Sequence, residues 1–158
     1  MSYFRGEDGF GLYVHSDLNV PTSTAVYVTE AGEIWGIDAF TPSNRSAIFL
    51  PVSQYAQALD QYRAFLLDKL NIDPPYQLEM GIDGIKNQKV WLPTVPGRMY
   101  VENPVGACIT NEIIARETIE KDTHSRDALK RFFQTILEKC GVENPEVMRN
   151  LFDPSLGN

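Results

Sequence analysis

The sequence has no run approaching the ~18 consecutive apolar residues of a membrane-spanning helix. Its first ten residues, MSYFRGEDGF, contain no apolar signal core. A cytoplasmic location and no membrane partner are therefore expected. Cysteine is scarce, with Cys108 and Cys140 alone. Two cysteines without CxxC spacing suggest neither a disulfide framework nor a zinc site, so both are expected to be reduced thiols. Histidine is equally scarce, and His15 and His124 stand far apart. A zinc-type site needs three or four converging ligands, so no metal is expected, and no cofactor. The phosphate-cradling G-x-x-x-x-G-K-[ST] loop and the G-x-S-x-G nucleophile elbow are both missing. Gly6, Gly9 and Gly11 fail the dinucleotide pattern G-x-G-x-x-G, because Val14 stands where the third glycine belongs. Cations are outnumbered, 14 Lys and Arg against 21 Asp and Glu, for a net charge of −7. That balance disfavours broad binding to nucleic acid or anionic membrane, while leaving room for a local basic patch.

What is present is ordinary globular material. At 43% hydrophobic and 22% charged, the chain is not compositionally disordered. Its 158 residues suffice to bury roughly 70% of the unfolded surface in one core. Phe10 to Val14 is short, aromatic and β-branched, which suits a first strand. Thr24 to Phe40 alternates on both sides of Ala31-Gly32 and reads as a β-hairpin, glycine supplying the positive φ of the turn. Val52, Tyr55, Ala56, Leu59, Tyr62, Leu66 and Leu70 recur at three- and four-residue steps, predicting a helix capped by Ser53 and ended by Asn71 and Pro74-Pro75. "YQLEMGI" alternates as a strand, "DGIKN" reads as a turn, and Gln88 to Leu92 as the returning strand. Asn111 to Ile119 suits strand or helix, its β-branched content favouring strand. Ser125 is expected to cap a second helix with Leu129, Phe132, Phe133, Ile136, Leu137 and Cys140 on one face and Gly141 as its left-handed end. The expected fold is α+β, an antiparallel sheet of about five to six strands with two helices packed on one face. Residues 1–143 form one domain in this reading, followed by a C-terminal tail over 144–158.

Three stretches carry candidate chemistry. In "RGEDGFGLYVHSDLNVP", His15 and Asp17, joined by Asp38 at the end of the hairpin, could supply acid–base groups to a small ligand or an enzyme site. Ser16, Asp17 and Asn19 are also favoured turn residues, whose side chains bond nearby backbone amides; that plainer account is preferred, and no catalytic residue is assigned. "KNQKVWLPTVPGRMY" sets Lys86, Lys89 and Arg98 among Trp91 and Tyr100, the mix of cations and rings used on single-stranded nucleic acid. Three cations make a small footprint for that role. The apolar Ile48-Phe49-Leu50 and the proline-rich Pro93 to Pro104 offer a contact surface, or a cover for a sheet edge.

The Arg5-Gly6…Asp8-Gly9 opening, the Ser16-Asp17…Pro21 turn and the Ile37-Asp38-Ala39-Phe40 strand end resemble the C-terminal region of bacterial Alba-like, Schlafen-type proteins. Those proteins carry an N-terminal domain associated with nucleic-acid or ATP binding, and no counterpart of it is expected within these 158 residues. The likeness covers about the first forty residues and implies an accessory module rather than a named activity. The resulting expectation is a non-enzymatic interaction module for a protein partner or its own copy. A small-ligand site at the hairpin edge and a nucleic-acid surface are the alternatives.

Overall fold

The computed structural model describes residues 2–14, 24–38, 47–91, 104–143, 149 and 152. The α+β class and the two helices are as expected. Among the described residues six strands are antiparallel, but they divide between two sheets, and a short parallel pair forms a third.

β1 (Ser2–Arg5), β2 (Gly9–Val14), β3 (Thr24–Thr29) and β4 (Ile34–Asp38) make an antiparallel meander in that order. β1 departs from the sequence expectation, which put the first strand at Phe10. Four residues are too few for alternation to announce a strand; pairing from Ser2↔Tyr13 to Arg5↔Phe10 creates it. The expected β3–β4 hairpin is present, closed by Gly32 at φ 87° and by the Thr29 amide donating to the Glu33 carbonyl at 2.9 Å. That bond fixes the alternation of the ladder. Tyr27/Trp35 and Ala25/Ile37 are the hydrogen-bonded pairs, so the backbone groups of Ile34, Gly36 and Asp38 point to the outer edge of β4. By the same logic the amide of Gly6, donating to Gly9 at 3.0 Å, turns the backbone groups of Tyr3 and Arg5 outward from β1.

The remaining elements build the core. α1 (Val52–Leu70) and α2 (Ser125–Lys139) pack on the ribbon of β6 (Tyr76–Asp83) and β8 (Glu112–Ile119). Phe133, Ile136 and Leu137 of α2, with Ile119 of β8 and Ile85, are fully buried. β5 (Ala47–Ile48) and β7 (Lys89–Val90) pair in parallel beside them. β7 therefore does not return along β6, as the local turn pattern suggested. The partner of β6 is β8, about thirty residues further on, with Tyr76↔Ile119 to Asp83↔Glu112 in register. The strand reading of Asn111 to Ile119 is thus the correct one of the two.

Neither expected serine cap forms. α1 starts after Pro51, and Ser53 Oγ instead accepts from Arg126 at 3.1 Å. α2 starts after His124, and Ser125 Oγ donates to Asp60 of α1 at 2.5 Å. Arg63 of α1 donates to the carbonyls of Glu120, Lys121 and Thr123, so charged side chains tie α1 to the entry of α2. The helix ends follow expectation, with Asn71 at φ 53° and Gly141 at φ 72°. Cys108 and Cys140 are not free thiols: they form a disulfide. The amides of Ala107 and Ile109 donate to the carbonyls of Cys140 and Lys139, laying this segment along the end of α2 and bringing the cysteines together. No helix among the described residues is long and apolar enough to cross a membrane.

Candidate binding cleft and aromatic sheet face

Two features stand out, and both lie on the meander. The first is a cleft of about 360 Å³ between β4 and β6, floored by α1 and α2. Gly36 brings β4 down onto α1, because a Cβ there would come within 2.6 Å of the Tyr62 hydroxyl. Leu59, Leu129 and Phe132 supply an apolar floor, and Met80 part of the β6 wall. A neighbouring hollow continues along the same strands past Gly81 to Asp83. Burial pushes the Tyr62 phenol above its ordinary pKa. Tyr55 donates its hydroxyl to Asp38 at 3.1 Å. A carboxylate with a phenol beside it over apolar side chains suits recognition of a cation or an N–H donor.

The second feature is the apolar surface of the meander itself. Tyr3 is 86% exposed, Ile37 61%, Trp35 58% and Phe10 54%, with Phe4 and Leu12 also exposed. Register sorts them by face. Phe4, Tyr27 and Trp35 form one cross-strand row, with Tyr13 and Ile37 on the same face. Tyr3, Leu12 and Phe10 lie on the other. The Phe4 and Tyr27 rings stack at 5.6 Å, and Tyr27 donates to Asp8 at 2.6 Å. That hydrogen bond to a carboxylate raises the Tyr27 pKa, since ionising the phenol would remove the donor.

Of the residues singled out in the sequence, Asp38 lines the cleft, while His15, Asp17 and Arg98 lie outside the described residues. Lys86 and Lys89 are exposed, and Trp91 is half-buried, its amide donating to the Ile48 carbonyl at 2.8 Å. Ile48 and Leu50 are buried in the core and Phe49 is half-buried, so that apolar loop is not an open contact surface, while 93–103 of the proline-rich segment lie outside the described residues. No group of three or more His, Cys, Asp or Glu suited to a metal occurs among the described residues. The strand pattern of Phe10 to Val14 assigns Phe10 and Leu12 no contact role, and Tyr3 and Phe4 none either, although the density of these four in the first thirteen residues is the signal for one. Tyr55 and Tyr62 read as plain core, yet both line the cleft. Comparison with family models, characterised proteins and solved structures returned no match.

Proposed function

We propose that this chain is a non-enzymatic interaction module that associates with a second copy of itself along β1. The observation that carries this reading is the exposed apolar surface on both faces of the β1–β2 end of the meander. Solvent exposure of this many large apolar side chains on one ribbon is characteristic of an interaction site. β1 adds an edge strand whose outward backbone groups, those of Tyr3 and Arg5, have no strand neighbour among the described residues. An open aromatic edge is a template for pairing with another chain. A copy related by two-fold symmetry presents the same edge, so complementarity follows from symmetry alone.

The test is sedimentation equilibrium over a hundredfold concentration range. Dimer formation is expected, weakened at least ~10-fold by Tyr3→Ser or Phe10→Ser. A strict monomer at the highest concentration contradicts it, as does a dimer indifferent to both changes.

A further inference from the structure

The cleft between β4 and β6 has a construction that self-association through β1 does not use. On one side is the outer edge of β4, where Ile34 and Gly36 have no strand neighbour among the described residues. On the other is β6, whose only described strand partner is β8. Two sheet edges thus face one cavity floored by apolar side chains from both helices.

Charge selects what could lie there. Among the described residues no Lys, Arg or His lines the cleft or its continuation, whereas Asp38, Glu79 and Asp83 do. The β6 side chains alternate about the ribbon. Leu78, Met80 and Ile82 turn to the core, while Glu79 and Asp83 lie on the open face with Glu112 and Arg116 of β8. Arg116 bonds Glu79 at 2.6 Å, and among the described residues Asp83 accepts only the neutral Asn111 amide, at 2.7 Å. That open face therefore keeps an excess of negative charge.

We infer that this slot accepts an extended peptide of alternating apolar and basic residues, added as a strand between β4 and β6. Strand pleating sends successive side chains to opposite faces. Apolar side chains would enter over Leu59, Leu129 and Phe132, and basic ones would stand beside Asp83 and Glu79 as cross-strand neighbours. The outward backbone groups of β4 supply the hydrogen bonds, as in other cases where a peptide extends a sheet. A small amine would meet Asp38 but leave those backbone groups unused, so the strand is the occupant that uses the whole slot.

The probe is a blocked peptide of about seven residues, alternating valine and lysine, a length that matches an ordinary strand. Binding to the full chain is read by fluorescence anisotropy. Asp83→Lys should weaken it about tenfold, the order expected for turning an attractive cross-strand pair into a repulsive one. Methylating alternate peptide nitrogens should abolish it. Amide hydrogen exchange adds a second readout: the Ile34 and Gly36 amides gain protection on binding, while that of Trp35, already paired with Tyr27, does not change. Equal binding of a shuffled peptide, of the glutamate counterpart or of the methylated one overturns the inference. So does binding without new protection at Ile34 and Gly36, or full competition by a simple alkylamine. Tyr3→Ser should leave peptide binding unchanged, so failure of self-association and failure of this slot are read separately.

Discussion

The two halves of the molecule treat apolar side chains in opposite ways. In the half built from α1, α2, β6 and β8, Phe133, Ile136, Leu137 and Ile119 are sealed from solvent, and the strands alternate buried against exposed. In the meander, Thr29 and Gly11 are the only described residues that are buried, and Tyr3, Phe10, Trp35 and Ile37 face water. The same backbone ladder serves both, so the difference lies in what covers the side chains. Two helices cover the β6–β8 ribbon. The meander touches α1 at its β4 end, where Gly36 meets Tyr62, and leaves its β1–β2 end open. One half is held by its own packing; the other offers its packing surface outward.

The contrast can be broken by substitution. Phe133→Ala should cost about 3–5 kcal/mol of stability, as for other large aromatic deletions in a sealed core, whereas Trp35→Ala should cost less than about 0.5 kcal/mol in the monomer. Urea unfolding of both variants checks this, and similar losses would erase the distinction between the halves. Next in size is the disulfide. Cys140→Ala, or reduction, opens a link across a sequence separation of 32 residues, and bonds of that span contribute about 2–4 kcal/mol. Thiol titration of unreduced protein checks the bond itself. It also bears on the cytoplasmic location read from the sequence, because disulfides persist mainly in oxidising compartments; protein isolated with two free thiols would favour that location. Then comes Ser125→Ala, which removes a hydroxyl bonded to Asp60 and Arg63 at the helix junction. Loss of about 0.5–1.5 kcal/mol is expected, the net worth of an intramolecular hydrogen bond, because the exposed Asp60 carboxylate regains water.

The smallest effect belongs to Tyr27. Its pKa is raised in the fold by the bond to Asp8. The neutral phenol is therefore the form the fold favours, and this contribution is present below the ordinary tyrosine pKa and fades as pH rises through the raised one. Ultraviolet titration should show Tyr27 and the half-buried Tyr62 ionising late, and Asp8→Asn should return Tyr27 alone toward the ordinary range. A titration that ignores Asp8 would break the assignment.

How legible these halves were in sequence follows from the range of the interactions. The stripes of α1 and α2 repeat every three or four residues and could be read directly. So could the β3–β4 hairpin, whose turn chemistry sits at Gly32. The β6–β8 pairing could not, because the local signal "DGIKN" suggests a hairpin and the true partner lies beyond the intervening chain. The disulfide was hidden for the same reason: only the run of 105–109 along the end of α2 brings Cys108 to Cys140. Ser53 and Ser125 looked like caps by type and position, but Arg126 and Asp60, distant in sequence, claim their hydroxyls. For the cleft, Asp38 was singled out, while its apolar floor and phenols were indistinguishable from core residues.

The most direct test of the account is amide hydrogen exchange at Tyr3 and Arg5, measured at low and high protein concentration. The account predicts that both amides, which point away from β2, exchange freely in dilute protein and become protected as copies pair along β1. Exchange at those two positions that stays fast at every concentration would contradict it.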